Sequence, residues 1–73
     1  MFISERVSAA LNDEITLELF AHVQYLAMAH FFEQKSLDGL AGFFYNQAEE
    51  EKMHALKIVH YLNDAGADLT FKA

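Results

Sequence analysis

The chain contains no cysteine, no proline and no tryptophan, and only three glycines in 73 residues. Without cysteine there is no disulfide framework and no thiolate metal site. Basic residues are also scarce. Five Lys and Arg stand against eleven Asp and Glu, for a formal net charge of −6. That balance argues against nucleic acid and against an anionic membrane surface as partners. It is compatible with cation binding. Long hydrophobic runs are missing too, because Glu, His, Gln or Lys interrupts every apolar stretch before the ~18–20 residues of a membrane span. The opening residues Met1-Phe2-Ile3-Ser4-Glu5-Arg6 lack a basic segment ahead of an apolar core. We therefore read no signal peptide and expect a cytoplasmic location.

What remains is apolar. Hydrophobic residues make up 53% of the chain, with seven Phe, which is too much for a disordered tail. The length allows one small domain, and chains this short usually need a staple or a partner to bury enough surface.

With proline absent, nothing breaks a helix from Ser4 to Gln34, where Leu, Ala, Glu and Met are plentiful. Lys35-Ser36-Leu37-Asp38-Gly39 is the mid-chain turn cluster. Ser36 is a candidate N-cap for a second helix, with Asp38 favourable in its first turn. Gly66 is a candidate C-terminal stop in a left-handed conformation. The expectation is all-α. A single helical hairpin covers 1–73, with helix one about 4–34, the turn 35–39, helix two about 37–65 and a tail 66–73.

Periodicity points to a site. Steps of three and four along helix one give Leu11, Ile15, Glu18, His22, Tyr25, Ala29 and Phe32. The same steps along helix two give Leu40, Phe44, Gln47, Glu51, His54, Ile58, Tyr61 and Ala65. Both seams are apolar at their ends and polar in the middle. In an antiparallel hairpin Glu18, Glu51 and His54 fall within about a helical turn of one another in height. A carboxylate in a packed seam is costly unless something pairs with it. Glu51 and His54, at i and i+3, share a helix face and suit one metal ion. A Glu–His hydrogen-bonded pair that fixes helix register is the competing reading. Carboxylate and imidazole without thiolate suit Fe(II), Mn(II) or Zn(II). Phe20, Val23, Leu26, Phe31, Phe43, Met53, Leu56 and Val59 lie off the seams, so further helices should pack on the hairpin.

One hairpin offers two Glu and one His. A two-fold dimer doubles this to the ligand set known from di-iron bundles, a Glu from each of two helices and an E-x-x-H from each of the others. The segments 11–21, LNDEITLELFA, 47–55, QAEEEKMHA, and 61–66, YLNDAG, resemble the first two helices of ferritins, and bacterial non-haem ferritins in particular. Tyr25, seven residues after Glu18, is similar to the Tyr beside the metal site in that family.

The resemblance implies a ferritin-like four-helix bundle made by a homodimer or higher homo-oligomer. It implies iron as Fe2+/Fe3+, with Mn or Zn as substitutes, and a ferroxidase and iron-storage function using dioxygen or peroxide. Glu51 would bridge two metals, with Glu18 and His54 as terminal ligands. Tyr25 and Gln47 would hydrogen-bond around them, and Glu50 matches a position that feeds an additional iron site in some relatives. A solvated helix surface is the other reading for Glu49 and Glu50. His22 could reach a metal but is not a standard ligand position. Full ferritins continue into a crossover and two more helices, so the chain reads either as a natural half-ferritin or as a fragment. A rubrerythrin-like di-metal peroxidase and a non-catalytic helical assembly module are the alternatives in function.

Overall fold

The computed structural model describes residues 2–70, so the last residues of the expected tail, 71–73, lie outside the described residues. Two helices account for nearly all of it: α1, Glu5–Gln34, and α2, Asp38–Asp64. They run antiparallel, and among the described residues there is no strand. No helix among them is long and apolar enough to cross a membrane.

Ser4 caps α1, its side-chain oxygen accepting a hydrogen bond from the Val7 N–H at 3.1 Å. Both helices end in the same way. At the end of α1 the Leu37 N–H reaches back to the Phe32 carbonyl and the Ser36 N–H to that of Glu33. At the end of α2 Ala67 and Gly66 repeat this with Leu62 and Asn63. Each motif needs a left-handed residue. Gly66 supplies one at φ 72° and Ser36 supplies the other at φ 60°.

This corrects the reading of Ser36 as an N-cap. A cap needs extended backbone, and Ser36 is already committed to closing α1. The cap position of α2 falls to Leu37, which makes no side-chain cap bond. Asp38 in the first turn then offers only its charge to the helix dipole.

The helices meet along small residues. Ala41, Ala48, Ala55 and Leu62 are all buried on α2, one every seven residues. Facing them on α1 are Ile15 and Ala29, also buried, with half-buried His22 between. The expected seam of α2 is therefore displaced: Leu40 and Tyr61 are exposed on the flank. Reading by large side chains found the flank, whereas the line of closest approach belongs to alanine, which lets two backbones come together.

The described chain measures 49 × 22 × 12 Å. The short dimension is about one helix diameter, so nothing covers either broad face. Phe20 is 61% exposed and Phe43 55%, and Val23, Phe31, Met53 and Leu56 are exposed too. Val59 differs, packing partly buried against the Ile15–Ala55–Leu62 cluster.

The open end of the hairpin is tied by Asn12, a buried polar residue at 6% exposure. Its amide donates to the Ser8 and Asp68 carbonyls at 3.0 and 3.1 Å. Its carbonyl oxygen accepts from the Thr70 N–H at 2.7 Å. A buried donor or acceptor left unpaired costs about 1–3 kcal/mol. Asn12→Ala should lower stability by about that amount and should speed amide exchange at Thr70. Unchanged Thr70 exchange would show that this clamp does not hold the segment after α2.

Candidate metal centre

Glu18 projects from the middle of α1, and Glu51 and His54 from one face of α2. One ligand atom from each lies within 4.8 Å of the other two. Two ligands on one ion at 2.0–2.2 Å stand at most ~4.4 Å apart. The three atoms are thus close enough for modest side-chain adjustment to bring them onto one ion. His54 Nδ1 is 3.6 Å from Glu18 Oε2, which is too long for a hydrogen bond.

Burial is uneven across the cluster. The Glu18 side chain is 18% exposed and that of His54 54%. Glu18 Oε2 is buried and has no hydrogen-bond partner. A carboxylate oxygen withdrawn from water without a donor is expensive. It is therefore the natural acceptor for a cation entering from the His54 side.

The proton is the substitute available to the metal-free chain. The Glu18 carboxyl is pushed up to about 7, chiefly because the Glu51 carboxyl stands beside it, then by burial and by Glu14. Glu14 was not picked out from the sequence. The signal was there, in the i, i+4 spacing that sets it one turn before Glu18 on the same face.

Tyr25 is half-buried toward the turn. Its ring stacks on Phe44 with centroids 6.0 Å apart, and Phe44 stacks on Phe32 at 5.5 Å. Phe43 and Phe31 meet this stack edge-on, and Lys35 lies over Phe31 at 4.9 Å. Together they form an apolar wall on the turn side of the carboxylates. Gln47 is half-buried one turn before Glu51.

Other sequence candidates stand apart from the three. Glu50 is exposed, as are His30 and His60. Glu49 pairs with Lys52 at 3.3 Å on the surface. His22 turns to the other helix, its Nδ1 2.6 Å from the Ala48 carbonyl oxygen. A groove of about 290 Å³ lies at the open end between Glu5, Asn12 and Asp68, away from the carboxylates.

Comparison with known proteins places the chain in a family. A family model described as a ferritin-like domain matches residues 8–73. The bacterial non-heme ferritin of Staphylococcus aureus is 44% identical over 71 residues, 97% of this chain and 43% of that protein. The bacterial non-heme ferritin of Staphylococcus epidermidis is 42% identical over 69 residues, 94% of this chain and 42% of its own length. Among solved structures, the open pore ferritin from the hyperthermophilic archaeon Archaeoglobus fulgidus superimposes with a TM-score of 0.91 at 34% identity. It covers 97% of this chain and 43% of the archaeal one. The chain thus spans less than half the length of the relatives it matches.

The raised Glu18 carboxyl makes a pH prediction for the metal-free protein. Between the ordinary carboxyl value of 4.5 and about 7 the folded state holds a proton that the unfolded state has lost. The stabilisation from this proton is complete below 4.5 and declines as pH rises to about 7. Chemical unfolding at pH 5 and pH 7.5 should show the parent losing stability over that interval. Glu18→Gln, neutral at both, should lose less. Equal losses in the two proteins would mean that Glu18 does not titrate there.

Proposed function

This chain belongs to the ferritin-like family, and from that membership and the Glu18–Glu51–His54 cluster we propose that it binds Fe(II) as its substrate and oxidises it to Fe(III). The observation that carries the proposal is the buried Glu18 oxygen with no donor, beside a second carboxylate and an imidazole. All three are ligand types for divalent iron, and no thiolate competes. Mn(II) and Zn(II) would occupy the same donors.

Glu51 is the bridging ligand in this reading, with Glu18 and His54 terminal. Two Fe(II) ions each give up one electron, and dioxygen takes two electrons and two protons to become hydrogen peroxide. Hydrogen peroxide, as the alternative acceptor, takes the same two electrons and two protons to become two water molecules. Glu18 releases its proton as the cation arrives. The shared negative charge of the carboxylates then favours Fe(III) over Fe(II). In this reading Gln47 would hydrogen-bond a ligand, the Tyr25 hydroxyl would act beside the centre, and the Phe44–Phe32 wall would limit water. Oxidation of iron in this way supports storage and detoxification.

A two-iron site needs more ligands than one hairpin offers. A second copy of this chain, packed across the broad face that carries Glu18 and His54, would supply a second Glu18, Glu51 and His54. It would also cover apolar surface such as Phe43 and Tyr61, both exposed in the single chain. The product is a homodimeric four-helix bundle with the ligand set of di-iron proteins.

Anaerobic Fe(II) titration followed by admission of air tests this. Two Fe(II) should bind per pair of chains, and sedimentation should give the mass of a dimer or larger assembly. Glu18→Ala, Glu51→Ala and His54→Ala should each slow oxidation by about 100-fold or more, since each change is made twice and even supporting partners are worth 10–100-fold. Tyr25→Phe should keep Fe(II) binding while altering the oxidation rate. His60→Ala should behave as the parent. A monomer that oxidises iron, or Glu51→Ala oxidising it at the parental rate, would overturn the proposal.

A further inference from the structure

We propose that His22 is a positioning residue for the metal ligands: its imidazole, bonded to the main chain of α2, locks the axial register in which Glu18 meets Glu51 and His54. The proposal rests on the metal-binding reading above.

The bond is specific in direction. A carbonyl oxygen only accepts, so at 2.6 Å from the Ala48 oxygen His22 Nδ1 must carry the proton. The acceptor belongs to an α2 that is unbroken at this point, so His22 uses the second lone pair of a carbonyl within a continuous helix. That requires close approach of the two backbones. Ala48 is fully buried, with Ala41 and Ala55 nearly so on either side, and a larger residue at 48 would hold the imidazole away.

The bond also stands where register matters. His22 is four residues after Glu18, and Ala48 three before Glu51, so both lie about one helical turn from the ligands on the turn side. Side chains tilt toward the N-terminus of their own helix, and helical carbonyls point toward the C-terminus. In this antiparallel pair both directions lead toward the ligands. Beside His22 and Ala48, the seven-residue step sets Ile15 against Ala55, which share the buried cluster. Glu18 then falls level with Lys52, between Glu51 and His54.

Packing alone resists axial sliding weakly, because an alanine face is smooth. A slip of one residue moves a ligand ~1.5 Å and turns it by ~100°, while metal–ligand distances tolerate about 0.2 Å. The cross-helix bond fixes what the alanines leave free.

The test uses the full chain with Co(II) as an oxygen-stable probe whose visible spectrum reports coordination geometry. His22→Leu keeps bulk and loses the donor. His22→Asn places an amide N–H near the position of Nδ1. Leu62→Ala truncates the core at the far end of the hairpin and serves as the match for plain destabilisation. His22→Leu should weaken Co(II) binding about 10–100-fold, the range for supporting partners of a metal site, and change the spectrum. His22→Asn should recover most of the affinity. Leu62→Ala should lower the melting temperature but keep the parental spectrum.

A nitrogen NMR measurement on the metal-free parent is independent of any metal and should find the Nδ1–H tautomer at His22. The Nε2–H tautomer, or parental affinity and spectrum in His22→Leu, overturns the proposal. So does an equal loss of affinity in Leu62→Ala. A parent that holds the Nδ1–H tautomer but binds no Co(II) sinks the metal-binding reading instead, and with it the positioning role.

Discussion

Two carboxyl groups on different helices are held side by side, and one buried oxygen between them has no donor. In the isolated chain this arrangement opposes folding, because like charges at short range and a desolvated oxygen both raise the energy of the native state. A proton on Glu18 relieves part of it, and a divalent cation would relieve more. The fold tolerates the arrangement because it is rigid along its length. Thirty residues of α1 and 27 of α2 fix the two backbones over several turns on either side of the carboxylates.

Small residues rather than large ones set how closely the two helices approach. The Ala41–Ala48–Ala55 line buries little apolar area per residue, so its contribution lies in distance. It brings the helix axes close enough for a side chain on one to reach the main chain of the other, and for carboxylates on both to meet. The same economy leaves the large apolar residues on the broad faces, where the hairpin alone does not bury them. A thin hairpin with apolar faces and half a ligand set is unsatisfied twice, in solvation and in charge. A second copy laid over the ligand face would answer both needs at once.

The sequence made much of this legible, for reasons of period. Glu18, Glu51 and His54 stood out because they interrupt apolar seams at matching heights, and the structure brings their ligand atoms together. The two helices were legible because nothing between Ser4 and Gln34 competes with helix. Features that depend on distance between backbones were not. Ala48 looked like an ordinary helix former, yet it is fully buried and its carbonyl oxygen meets His22. His22 looked like a lesser ligand candidate because it shares a seam with Glu18, and only the approach of α2 reveals its carbonyl partner. Ser36 misled through its type, since serine suits a cap, but the chain had already spent that residue on the left-handed turn closing α1.

The competing account of the cluster is a register-fixing Glu–His pair without metal. It would require His54 to donate to Glu18, and the separation of 3.6 Å is not a hydrogen bond. It would also want His54 buried, whereas more than half of that side chain is exposed. Register has another holder in the His22–Ala48 bond at 2.6 Å, so His54 is not needed for it. A second carboxylate beside the first is the further difficulty, because it adds repulsion that a single Glu–His pair does not account for. Read as ligands, the same features agree. The oxygen without a donor would accept the cation, the paired carboxylates would supply its charge balance, and the exposed imidazole would close the open side.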